Sequence, residues 1–191
     1  MKRRTKIVVL GSALLLTAGV ASVATASDVP LQRGAAALAS DAPHQREAAS
    51  LTGTAKLYRS KGDDITFSFD AHLAAKDTAD PSQAGGTFEF SHYLHGKGAW
   101  AKAKVDCLVT GGTVAVVSGV ITESDLPGSE GKRVGVTVHD RGRDDRLGYS
   151  WVMSGRPGEG NEPPPCVASA PFEKVKKGTG DFTVVPWQPE L

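Results

Sequence analysis

The stretch DITFSFDAHLA, residues 64–74, puts Ile65, Phe67, Phe69, Ala71 and Leu73 on one side of an extended chain and Thr66, Ser68, Asp70 and His72 on the other. Apolar residues at every second position match a pleated strand with one buried face and not a helix, whose period is 3.6. The same rhythm recurs in GTFEFSHYL, with Phe88, Phe90 and Leu94 inward and Thr87, Glu89 and Ser91 outward, and in KRVGVTVHD, with Val134, Val136 and Val138 inward. Further strands are predicted in LGYSWVM, in GDFTVVPW and over residues 52–58. Gly, Pro, Asp and Ser separate these runs, which is the pattern of an antiparallel all-β domain, here over residues 51–191. About eight strands joined mostly by short turns predict a meander that closes as a barrel-like sheet or folds into a sandwich. Sequential hairpins without a long crossover make the barrel the simpler topology.

KVDCLVTGGTVAVVSGVI, residues 104–121, reads as two strands around Gly111-Gly112, with positive φ expected at both glycines. Pairing Val109 with Val114 sets Cys107 opposite Val116 and on the face of Ala103, Val105 and Val109, pointing inward or toward a sheet end. The other cysteine, Cys166, follows Glu162-Pro163-Pro164-Pro165, a segment that suits neither a helix nor a central strand.

The compartment decides what these two cysteines do. Residues 1–26 combine Lys2, Arg3, Arg4 and Lys6, an apolar run over residues 7–20, and Ala24-Thr25-Ala26. That is the three-part pattern of a secretory signal peptide cleaved after Ala26. The run is shorter than the roughly 20 apolar residues that span a bilayer. A secreted domain free of the membrane is therefore expected, and Cys107 and Cys166, the only 2 cysteines, are expected to form one disulfide that staples the proline-rich loop over the sheet. Cleavage takes four of the 22 Lys+Arg and leaves 18 against 21 Asp+Glu, a net charge of about −3. That balance argues against nucleic acid as a partner. Residues 27–50, rich in Ala, Ser and charge, read as a flexible linker or pro-segment.

KVDCLVTGGTVAVVSGVITES, GVTVHDRGRDDRLGYSW and GDFTVVPWQPEL together resemble small secreted actinobacterial proteins labelled "repetin", and more loosely bacterial extracellular β domains. The resemblance covers residues 51–191. It implies secretion and an all-β fold and carries over no catalytic residue. The calcium-loop spacing of the animal epidermal protein of the same name is absent from the sequence.

Candidate chemistry is sparse. His92 shares the Phe88 and Phe90 face, and on a strand His95 points the other way, so the pair does not make a metal site. HDRGRDDR, residues 139–146, gathers His139 with Asp140, Asp144 and Asp145. These carboxylates are weak calcium candidates, because Arg141, Arg143 and Arg146 compete for them, and a solvated turn with local Arg–Asp pairs is expected. No nucleophile elbow accompanies the His-Asp pair. Trp100, Tyr149, Trp151 and Trp187 are the residues available for an aromatic platform, and Tyr149 and Trp151 fall on the same face of a strand. The expectation is a monomeric, non-catalytic secreted module that needs no cofactor and binds an extracellular or cell-wall ligand through His92, Tyr149, Trp151 and His139. The alternative is a small secreted enzyme with a barrel-mouth site near His92 and His139.

Overall fold

Strand β2 (Asp64–Ala74) carries the alternation most plainly, and all five of its apolar residues from Ile65 to Leu73 are buried. It lies between β1 (Glu47–Lys56) and β3 (Gly85–Leu94), and the meander continues through β4 (Lys97–Gly111), β5 (Val114–Ser124), β6 (Arg133–His139), β7 (Arg146–Tyr149) and β8 (Glu173–Lys174). The last strand, β9 (Asp181–Val185), returns to pair with β1. The computed structural model describes residues 47–60, 62–157 and 162–188, and among them these nine strands form one antiparallel sheet, curled into a half-barrel. The barrel-like topology is the one adopted, with no second sheet packed against the first among the described residues.

The two ends of the curled sheet meet. Leu57, just past β1, bridges to Val175, just past β8; Tyr58 N donates to the Lys174 carbonyl at 2.7 Å and Lys176 N to the Lys56 carbonyl at 2.7 Å. Inside the curl, Phe67, Phe69, Phe88, Phe90 and Phe182 pack ring against ring with Val134, Val136, Val138 and Leu147. Rings of this size each remove a large apolar area from water.

Several details depart from the sequence expectation. Strand β1 begins at Glu47, inside the segment read as linker, and Ala49 and Ser50 are buried. Small side chains give little hydrophobic signal, yet Ala49 joins the core and Ser50 pairs with Val185 of β9. Residues 1–46, with the expected signal peptide and most of the linker, lie outside the described residues. Strand β7 stops at Tyr149, so Trp151 stands in the following turn, and Leu94, expected inward, is 40% exposed at the hairpin end.

The β4–β5 hairpin turns one residue later than expected. Gly111 is extended and pairs with Val114, leaving Gly112-Thr113 as the loop, and of the two glycines only Gly112 takes positive φ, at 56°. Further along, the register slips between Val105 and Cys107, so that Asp106 is an extra residue on β4. Such a bulge reverses which side chains face inward. Beyond it Leu108 joins the core and Val109 is 41% exposed. Cys107 thus leaves the Val105 face and pairs with Ser118 on the outer side of the sheet.

That outer side is covered by a strap. Cys107 and Cys166 are disulfide-bonded, with Cα atoms 5.3 Å apart. Cys166 N donates to Ser118 Oγ at 2.9 Å, and Ser118 Oγ donates to Asp106 Oδ1 at 2.6 Å. Arg133 Nε donates to the other oxygen of Asp106, at 2.7 Å, while Arg133 N donates to Glu162 at the start of the strap. The bulged Asp106 therefore satisfies the buried Ser118 and anchors the strap beside the disulfide. Val167 and Ala170 then pass so near β6 and β7 that a Cβ on Gly135 or Gly148 would overlap their carbonyl oxygens.

Candidate functional site

A concave mouth of about 330 Å³ opens where the β3–β4 hairpin, the end of β5 and the turn after β7 converge. Its floor is aromatic. Phe90 comes from the inward face of β3, and Trp151 is held by a turn in which Val152 N donates to the Tyr149 carbonyl and Gly155 N to the Trp151 carbonyl. The two ring centroids are 4.4 Å apart, and Phe67 lies beneath, 6.1 Å from Trp151. Leu126 adds an aliphatic wall, and His92, Ser124 and Arg156 place polar groups around the rim.

The rim is braced. Trp100 N donates to Asp125 Oδ1 at 2.7 Å, Ser124 Oγ donates to the Trp100 carbonyl at 2.8 Å, and Leu126 N donates to Ser124 Oγ at 3.0 Å, fixing the ends of β4 and β5 together. His92 continues the Phe88 and Phe90 face to the edge, where its side chain is 56% exposed and its Nε2 lies 3.3 Å from Asp63 Oδ2. An apolar floor with a few convergent polar groups is the usual construction of a small-ligand site. Trp100 borders the mouth and is itself partly exposed, whereas Trp187 belongs elsewhere, its N donating to Thr110 Oγ1 near the β4–β5 turn.

The structure brings together His92 and Trp151 and leaves the other predicted ligand-binding residues apart from the mouth. Tyr149 stacks on Trp151 at 4.9 Å, but its hydroxyl is engaged: Arg59 Nη2 donates to it at 3.2 Å, and it donates to Glu173 Oε1 at 3.2 Å. Burial raises the Tyr149 pKa, against the opposing pull of Arg59. Arg59 also pairs directly with Glu173, so the cluster clasps the segment after β1 to β8. His139 lies at the far end of the ladder. Ala99, partner of His92, and Gly111, beside Val114 and His139, are separated by most of β4, about 40 Å along a strand.

The acidic turn is also built differently from the solvated Arg–Asp turn expected of it. Asp140 Oδ1 accepts from Gly142 N at 3.0 Å and Oδ2 from Val184 N at 3.2 Å. Asp145 is only 1% exposed and accepts from Arg141 N at 2.7 Å and Phe182 N at 3.0 Å. Asp144 alone faces solvent, 3.1 Å from Lys177 Nζ, which holds its carboxyl below the ordinary range. Two carboxylates thus cap backbone amides of β9 and their own turn instead of converging on a point. Among the described residues no three His, Cys, Asp or Glu side chains are grouped to hold a metal.

Ser124, Leu126 and Arg156 went unnoticed in the sequence, since the end of β5, the segment after it and the loop after β7 are brought beside His92 only by the curl of the sheet. The sequence matches no protein-family model, and neither a curated protein nor a solved structure matches it.

Proposed function

We propose that this chain is a secreted, non-catalytic binding module that takes a sugar unit of an extracellular or cell-wall polymer in the mouth above Phe90 and Trp151. The observation that carries the reading is an aromatic floor ringed by His92, Ser124 and Arg156. Sugar rings present apolar C–H faces to aromatic rings and hydroxyls to polar rims. A disulfide between Cys107 and Cys166 is in keeping with an oxidising compartment. The resemblance to small secreted actinobacterial proteins points the same way.

Intrinsic fluorescence provides the test, because Trp151 forms part of the floor. Titration with wall-derived N-acetylated amino-sugar oligosaccharides is expected to give a saturable change. His92→Ala and Arg156→Ala are each expected to weaken binding about two- to tenfold, the range for losing one hydrogen bond. The absence of saturable change with any wall saccharide, or affinity untouched by both substitutions, would overturn the reading.

A further inference from the structure

A second groove, of about 720 Å³, lies between the β6–β7 turn and the segment joining β8 to β9, and shares no lining residue with the mouth. Arg141 and Arg146 stand on one wall, Lys174 and Lys176 on the other, with Tyr58 beside them. A smaller groove continues past Val175 and Lys177 toward Arg143. Six cations therefore follow one path, on a chain whose Lys+Arg (22) and Asp+Glu (21) nearly balance.

Of the three carboxylates along this path, Asp144 and Asp145 are already engaged, and Asp181 lies in the smaller groove beside Asp145. Asp145 turns its oxygens to backbone amides, and Asp144 takes Lys177. Among the described residues no carboxylate oxygen lies within 4.0 Å of the charged nitrogens of Arg141, Arg146, Lys174 or Lys176. The field they create is felt at Asp144, whose lowered pKa reflects Lys177 first and Arg141 and Arg146 at longer range. The groove is too large for one small anion, and its charges recur along its length. Guanidinium forks bind phosphate oxygens in pairs, and lysines add mobile point charges for successive groups.

We propose that this groove binds a chain of linked phosphates, either a free oligophosphate or the backbone of a phosphodiester polymer. The site is independent of the sugar mouth, so either assignment can fail alone.

Calorimetric titration of the protein with inorganic tripolyphosphate, and separately with a glycerol-phosphate polymer, tests it. Saturable binding of either probe, weakening as salt is raised, is expected; the stronger of the two identifies the source, terminal phosphate or bridging diester. Lys174→Gln with Lys176→Gln, both exposed, is expected to reduce affinity about tenfold or more without altering the thermal midpoint, since two charge-assisted contacts are lost. Lys102→Gln with Lys104→Gln on β4 removes the same charge elsewhere and is expected to leave affinity within about twofold. No binding of either probe, an equal loss in the β4 control, or equal affinity for a polycarboxylate of matched charge would overturn the proposal.

Discussion

Asp145 accepts hydrogen bonds from two amides far apart in the chain, Arg141 N in its own turn and Phe182 N in β9. A carboxylate does this well because both oxygens are acceptors, whereas Asn offers one oxygen and turns an NH2 toward the other donor. Burial first, and then neighbouring Asp181, raises the Asp145 pKa above the ordinary 3.8, against the pull of the two amides. The folded form therefore holds this proton more tightly than the unfolded one. Its contribution to stability is fully present below pH 3.8 and is lost as pH rises through the raised folded value. Asp145→Asn is expected to cost about 1–3 kcal/mol near pH 4, because even the protonated carboxyl keeps acceptor capacity on both oxygens whereas the side-chain amide leaves one backbone amide unsatisfied. The gap to wild type should narrow toward neutral pH, because only wild type then carries a buried charge. Urea unfolding of both proteins at the two pH values measures this, and a gap that widens with pH would contradict it.

The strap and the bulge beneath it form a unit that the sequence discloses only in part. The disulfide partners and the proline-rich strap are legible, since two cysteines in a chain with a leader pattern leave one intramolecular pairing. The side of the sheet that Cys107 faces is not, because a single unpaired residue at Asp106 inverts the alternation and leaves no compositional trace. The strands of β2, β3 and β6 are legible from their period. The short β8 is not, as Glu173-Lys174 gains strand geometry only by lying between β7 and the end of β1. The mouth shows the same division: the sequence singles out His92 on the Phe88 and Phe90 face and Trp151 on the Tyr149 face, while Arg156 reaches the rim from a loop with no periodicity at all. Packing of the strap has a direct test. Gly148→Ala places a methyl against the Ala170 carbonyl, a backbone atom with little room to move, and is expected to destabilise by about 1–3 kcal/mol and to speed proteolysis within residues 162–172. Gly111→Ala, which meets nothing within 4 Å, is the control and is expected to change stability by no more than about 0.5 kcal/mol.

For the molecule as a whole, the disulfide closes a loop with a sequence separation of 59 across the half of the sheet from β4 to the strap. On the chain-entropy account this restricts the unfolded ensemble by about 4 kcal/mol. Denaturant unfolding with and without reductant should show a lower midpoint when reduced, whereas coincident curves would mean that the strap's hydrogen bonds hold it unaided. The closure between Leu57 and Val175 bears on how the chain reaches this state. Strand β1 is the first described part of the domain to be synthesised, and β9, which covers one of its sides, is the last. Until residue 185 is available, β1 displays a row of unpaired amides and carbonyls, as does β7 before β8 arrives. Until then the sheet has two bare edges able to recruit a strand from another copy; residues 173–185 cover both, and the outward amides of Phe182 and Val184 in β9 are taken up by Asp145 and Asp140.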